Sequence, residues 1–94
     1  MDFYLYILKC VDGSYYIGHT NDIQKRIAEH NDGKASAYTA TRLPVTIVYT
    51  DTFQTRRDAF LVERKIKKWR REKKEAFIRQ HWNELQACSK KKFT

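Results

Sequence analysis

The sequence predicts an α+β fold in which one three-stranded antiparallel sheet is covered by helices, in the order β-β-α-β-α-α. Three observations predict it. Ninety-four residues suffice for one hydrophobic core and no more. The N-terminal stretch is rich in aromatic and β-branched residues on both sides of a turn signal. The C-terminal half carries apolar stripes at helical spacing behind capping residues. A sheet of three strands does not hold together unsupported, so the helices must cover it.

Residues 3–11 (Phe-Tyr-Leu-Tyr-Ile-Leu-Lys-Cys-Val) form the first strand and Tyr15 to Gly18 the second, with Asp12-Gly13-Ser14 as the turn between them. The number of loop residues decides which side chains share a face. A three-residue loop of Val11, Asp12 and a left-handed Gly13 pairs Cys10 with Ser14 and Leu8 with Tyr16. That register puts Tyr6 and Tyr16 on one face and collects Phe3, Leu5, Ile7 and Ile17 on the other. An even-numbered loop would scatter those four apolar residues, so the odd loop is the expected one.

Thr20-Asn21-Asp22 then offers an N-cap, and Ile23, Ile27 and Ala28 describe a short helix that stops at Asn31-Asp32-Gly33. Residues 34–43 show no period and read as a loop. Pro44 precedes Val-Thr-Ile-Val-Tyr-Thr, a third strand. Thr55-Arg-Arg-Asp58 is a capping box ahead of Ala59, Val62, Ile66 and Trp69, which predicts a helix over 56–69. A last helix is expected from about residue 72, with Ala76, Phe77 and Leu85 inward. The domain is placed at residues 1–86, followed by a basic tail at 87–94.

Composition removes whole classes of function. The apolar fraction of 41%, with few glycines and one proline, excludes disordered and collagen-like chains. The longest apolar run, Phe3 to Leu8, is far short of the roughly 18 residues that span a bilayer. A soluble, cytoplasmic protein without a signal peptide or membrane association is expected. Cys10 and Cys88 have no partners at metal or redox spacing, so reduced thiols are expected. The net charge of +8 is unevenly spread: residues 1–55 hold 5 basic and 6 acidic side chains, and residues 56–94 hold 14 and 5. A domain with its positive charge crowded into one half attracts polyanions, and nucleic acid is the first partner to consider.

Several residues in this frame fall into a known pattern. Tyr4-Leu5-Tyr6 and Tyr16-Ile17-Gly18 lie on the two hairpin strands, with Tyr6 and Tyr16 ten residues apart. Arg26 and His30-Asn31 follow on the first helix, and Glu63 stands on the helix after the third strand. His30-Asn31-Asp32-Gly33-Lys34, Tyr38-Thr39 and Pro44-Val45 continue the series. From Phe3 to about Ile78 the chain resembles the GIY-YIG nuclease superfamily, in particular its small single-domain members. Tyr4 and Leu5 depart from the Gly and Ile of the family's first triplet, but only the third residue, Tyr6, is expected to take part in chemistry.

The resemblance implies a metal-dependent endonuclease that hydrolyses DNA phosphodiester bonds in repair or processing. Its cofactor would be Mg²⁺, with Mn²⁺ as a substitute, and no small-molecule cofactor is implied. It further implies that Tyr6 activates water, Tyr16 assists, Arg26 stabilises the phosphate, His30 relays a proton or positions phosphate, and Glu63 holds the metal. A tyrosine must lose about three pKa units, roughly 4 kcal/mol, to ionise at pH 7, so partial deprotonation is the contribution expected of Tyr6.

Each of these residues also has a plainer role open to it. Strand tyrosines are commonly half-buried packing. Arg26 could pair with Asp22, His30 could cap its helix, and Glu63 could pair with Lys67. Nucleic-acid contacts are expected from Lys34, Tyr38, Thr39, Arg42, Lys68, Arg70 and Arg71, and a monomer is the expected state. A non-catalytic nucleic-acid-binding module of the same fold is the alternative function, and an adaptor for an acidic protein is a more distant one.

Overall fold

The computed structural model describes residues 2–81 and has the expected α+β architecture. Strands β1 (Phe3–Lys9), β2 (Tyr15–Thr20) and β3 (Thr46–Phe53) form one sheet in the order β2-β1-β3, with β1 antiparallel to both neighbours. Helices α1 (Ile23–Asn31) and α2 (Ala37–Ala40) cross from β2 to β3, and α3 (Arg56–Lys67) follows. A fourth helix, α4, runs over residues 71–81. Leu85, Cys88 and the tail at 87–94 lie outside the described residues. No described helix is long and apolar enough to cross a membrane.

The hairpin has the odd loop. Leu8 pairs with Tyr16 and Tyr6 with Gly18. The Cys10 amide donates to the Ser14 carbonyl at 2.8 Å, and Gly13 adopts φ +87°, a conformation open to glycine at little cost. Alternation then sorts side chains onto two faces. Leu5, Ile7 and Ile17 meet Ile66 of α3 and Ile78 of α4, while Tyr6, Leu8 and Cys10 pack with Val45 and with Ile23 and Ile27 of α1. A bulge opposite Ile7 and Leu8 turns both Val48 and Tyr49 to the α3 side.

Three local expectations need correction. Residues 34–43 are not all loop, because Ser36 caps the short α2 by accepting from the Tyr38 amide; a single turn is too short to display a helical period. On α4 the inward residues are Phe77 and Ile78, and Ala76 is exposed. Ala28 of α1 is likewise exposed, while Asn31 ties the end of that helix to the sheet by accepting from the Val45 amide at 3.1 Å.

Candidate active site

Strand β2 is a sheet edge, and a cleft of about 350 Å³ lies across it. Tyr6, Tyr16 and Gly18 reach the cleft from one face of the sheet, and His19, Glu63 and Lys67 from the other; Arg26 and Arg56 complete its charged wall. Five residues expected to work together, Tyr6, Tyr16, Arg26, His30 and Glu63, therefore converge, with His30 directly behind Tyr6.

Gly18 makes this possible. Tyr6 sits on the central strand and reaches the cleft only by lying across its cross-strand partner. A Cβ on Gly18 would stand 2.5 Å from the Tyr6 hydroxyl and 2.7 Å from Cζ. Glycine is required here by the close approach of a ring.

The Tyr6 hydroxyl lies 3.0 Å from Nε2 of His30, and Nδ1 of His30 lies 2.8 Å from Oγ1 of Thr39. The Thr39 hydroxyl donates to the Ser36 carbonyl, so its oxygen accepts from His30 Nδ1–H. That leaves Nε2 as the acceptor for the Tyr6 proton. His30 and Thr39 are both fully buried. Thr39, expected from sequence to contact nucleic acid, is instead buried and sets the histidine tautomer. His30 is not a surface cap either.

Burial decides the protonation states. It pushes the Tyr6 phenol well above its usual value; the neighbouring Tyr16 adds to the rise, and Arg26 opposes it without reversing it. A standing phenolate is therefore absent near neutral pH. Burial, with Arg26 second, also holds the His30 imidazole below its usual 6.5, so it is neutral at pH 7 and free to take a proton.

This shift has a consequence for stability. The unfolded chain protonates His30 more readily than the folded one, so the stabilisation is complete above pH 6.5 and is lost as pH falls through the depressed folded value. The stability advantage of wild type over His30→Gln, measured by urea unfolding, should shrink between pH 7.5 and pH 5. A constant gap would contradict the buried neutral imidazole.

Glu63 is 7% exposed. His19 Nδ1–H donates to its Oε1 at 2.7 Å, and Lys67 Nζ lies 3.0 Å from Oε2. The Lys67 partnership expected from helical spacing is present, joined by His19 from 44 residues away in sequence. His19, Arg56 and the cleft position of Lys67 were missed. Alternation offered a signal for His19, which shares the face of Ile17 and so points toward α3.

Asp22 does not pair with Arg26; its carboxylate accepts from the Lys25 amide as the α1 N-cap. Arg26 Nε is buried, makes no hydrogen bond, and lies 3.6 Å from Glu29 Oε1. A guanidinium with part of its donor fork unmatched beside a polar cleft is equipped to take an oxyanion.

The carboxylate chemistry of the cleft is compatible with a hard cation. Each Glu63 oxygen has a second lone pair beyond those facing His19 and Lys67. Among the described residues no group of three or more His, Cys, Asp or Glu forms a metal cage. That donor set suits Mg²⁺, which keeps its waters and takes one or two carboxylates with substrate phosphate.

Of the expected nucleic-acid residues, Lys34, Lys68 and Arg70 are exposed. Arg42 and Arg71 are engaged with the hairpin loop, Arg42 Nε with Asp12 at 3.0 Å and Arg71 with the Gly13 carbonyl at 3.1 Å.

Residues 2–76 match the GIY-YIG catalytic domain. A UPF0213 protein of Bacillus pumilus is 49% identical over 75 residues, covering 80% of this chain and 76% of that one. The UPF0213 protein YazA of Bacillus subtilis is 43% identical over 84 residues, covering 89% and 85%. Among solved structures, the solution structure of an E. faecalis protein superimposes with a TM-score of 0.59 at 38% identity, and that of a UPF0213 protein from Bacillus halodurans with 0.56 at 40%; each comparison covers 85% of both chains. The hairpin tyrosines, the α1 Arg-His pair and the α3 glutamate thus stand in a matched domain, and the chain belongs to the GIY-YIG nuclease family, alongside the UPF0213 proteins.

Proposed function

We propose that this cleft is the active site of a divalent-metal-dependent endonuclease that hydrolyses DNA phosphodiester bonds. One observation supports this reading above the others: an arginine, a hydrogen-bonded tyrosine–histidine pair and the Glu63 carboxylate meet across a single sheet edge.

In this reading Arg26, with Arg56 and Lys67 beside it, draws a phosphate into the cleft and balances the charge that grows on its oxygens. Tyr6 accepts a proton from the attacking water as its own passes to Nε2 of His30, so the phenol is never a free phenolate. Thr39 and the Ser36 carbonyl keep the imidazole in the receiving tautomer. Tyr16, half-buried at the cleft, orients the water or a phosphate oxygen by its hydroxyl. Glu63 would hold a Mg²⁺ ion, which when bound supplies positive charge at the phosphate and acidifies its waters. His19 is a positioning residue that fixes the carboxylate.

A cleavage screen tests this reading. Paired, flapped, branched and single-stranded DNA, together with RNA, are incubated with Mg²⁺ or Mn²⁺ and compared with EDTA. Cleavage of at least one DNA form that EDTA abolishes is the expected result. Salt-dependent binding with no cleavage under either metal would favour the non-catalytic module.

A further inference from the structure

A second feature adjoins the cleft on the hairpin side. Tyr38 on α2 is 39% exposed, a large aromatic ring left at the surface of a basic domain. Its ring stacks with Tyr16, centroids 6.3 Å apart and planes inclined by 29°. The Arg42 guanidinium lies over the ring, 3.9 Å from its centroid. Arg42 is locked there by bonds to Asp12 at 3.0 Å, to the Tyr38 carbonyl at 2.8 Å and to Thr41 at 3.1 Å. With Nε and Nη1 bonded to the protein, Arg42 serves as a rigid backing for the ring.

Tyr38 also walls a recess of about 180 Å³ shared with Ser14, Tyr15, Arg71 and Lys74. The recess has room on the scale of one nucleobase. It places the side chains of two tyrosines, Tyr15 and Tyr38, beside two cations, the pairing that single-stranded nucleic acids use: stacking for the base and positive charge for its phosphate. Arg71 is held toward the recess by the Gly13 carbonyl and by Glu75, at 3.1 and 2.7 Å. Tyr16 lines the cleft and stacks with Tyr38, which lines the recess, so the two concavities adjoin through that pair of rings.

We infer that Tyr38, backed by Arg42 and flanked by Arg71 and Lys74, is a stacking platform for an unpaired DNA base adjacent to the phosphate bound in the cleft. This deepens the nuclease reading and rests on it for the identity of the cleft. Bases inside a duplex offer their faces only to each other, so the platform selects DNA with an unpaired or extruded nucleotide beside the cleavage point.

The test is made in EDTA, so binding is read apart from cleavage. Two duplexes of one sequence are compared by fluorescence anisotropy, one fully paired and one carrying an unpaired 2-aminopurine at a flap junction. Wild type should bind the unpaired form roughly 5- to 150-fold more tightly, the span of one base stacked on an aromatic ring, and quench the 2-aminopurine. Tyr38→Phe should keep both effects and Tyr38→Ser should lose them. Lys74→Glu, a helix-surface change outside the cleft, should lower the same preference and serves if Tyr38→Ser fails to fold. Equal affinity of wild type for the two duplexes, or a preference that survives both Tyr38→Ser and Lys74→Glu, would overturn the platform. Cleavage then separates the two ideas. A preference that depends on Tyr38, with no cleavage under any metal, keeps the platform and removes the nuclease; metal-dependent cleavage with no such preference does the reverse.

Discussion

Glu63→Gln should lower metal-dependent cleavage by at least about 10²–10³-fold, the scale of removing one group that stabilises transition-state charge, while leaving DNA affinity in EDTA close to that of wild type. The amide keeps the size of the side chain beside Ala59 and Ile66, and its oxygen still accepts from His19. It removes the anionic charge that a hard divalent ion requires of an oxygen donor. The new amide NH₂ would face the Lys67 ammonium, but Lys67 is half-exposed and can turn to water. Stability should therefore fall by no more than about 1 kcal/mol, a figure that covers weakening of both the screened Lys67 pair and the His19 bond. Single-turnover cleavage and urea unfolding of the same preparation check the two halves. Wild-type rates in Glu63→Gln would remove the carboxylate from the proposed metal site.

Gly18→Ala should be damaging out of proportion to one methyl group. Its Cβ would meet the Tyr6 hydroxyl and Cζ at 2.5 and 2.7 Å, and Tyr6, only 2% exposed, has little room to retreat. Overpacking of this kind costs about 1–3 kcal/mol, and the shift draws the phenol away from His30 Nε2. Cleavage should fall together with thermal stability. Adding Tyr6→Leu to Gly18→Ala should recover part of the stability, because the shorter side chain ends before the clash, and none of the activity. That non-additivity identifies the ring as the obstructed group. A Gly18→Ala protein with unchanged melting temperature and cleavage would show that Tyr6 need not cross the edge strand.

Much of the scaffold was legible in the sequence because the forces that set it are local. A three-residue loop ending in a left-handed Gly13 determines the hairpin register, and that register places Tyr6 and Tyr16 on one face. The capping boundaries at Asp22 and Thr55 determine where α1 and α3 begin, and a spacing of four residues sets Arg26 and His30 one turn apart. Each of these needs only neighbours in the chain, whose geometry a few residues specify.

The chemistry of the site was decided by contacts that no local pattern contains. His19 and Glu63 meet only because α3 returns across the sheet, and His30 finds Thr39 only because the single turn of α2 folds back onto α1. The sequence left Tyr6, Tyr16 and His30 all open as the general base. The fold separates Tyr6 from His30, because burial is a collective property of every segment packed around a group, and it raises the Tyr6 phenol while lowering the imidazole. Arg42 and Thr39 were expected at nucleic acid; tertiary packing lays the first over the Tyr38 ring and buries the second against His30. Local sequence determines the direction in which a side chain leaves the backbone, whereas its partners and its charge depend on which distant segments exclude water around it.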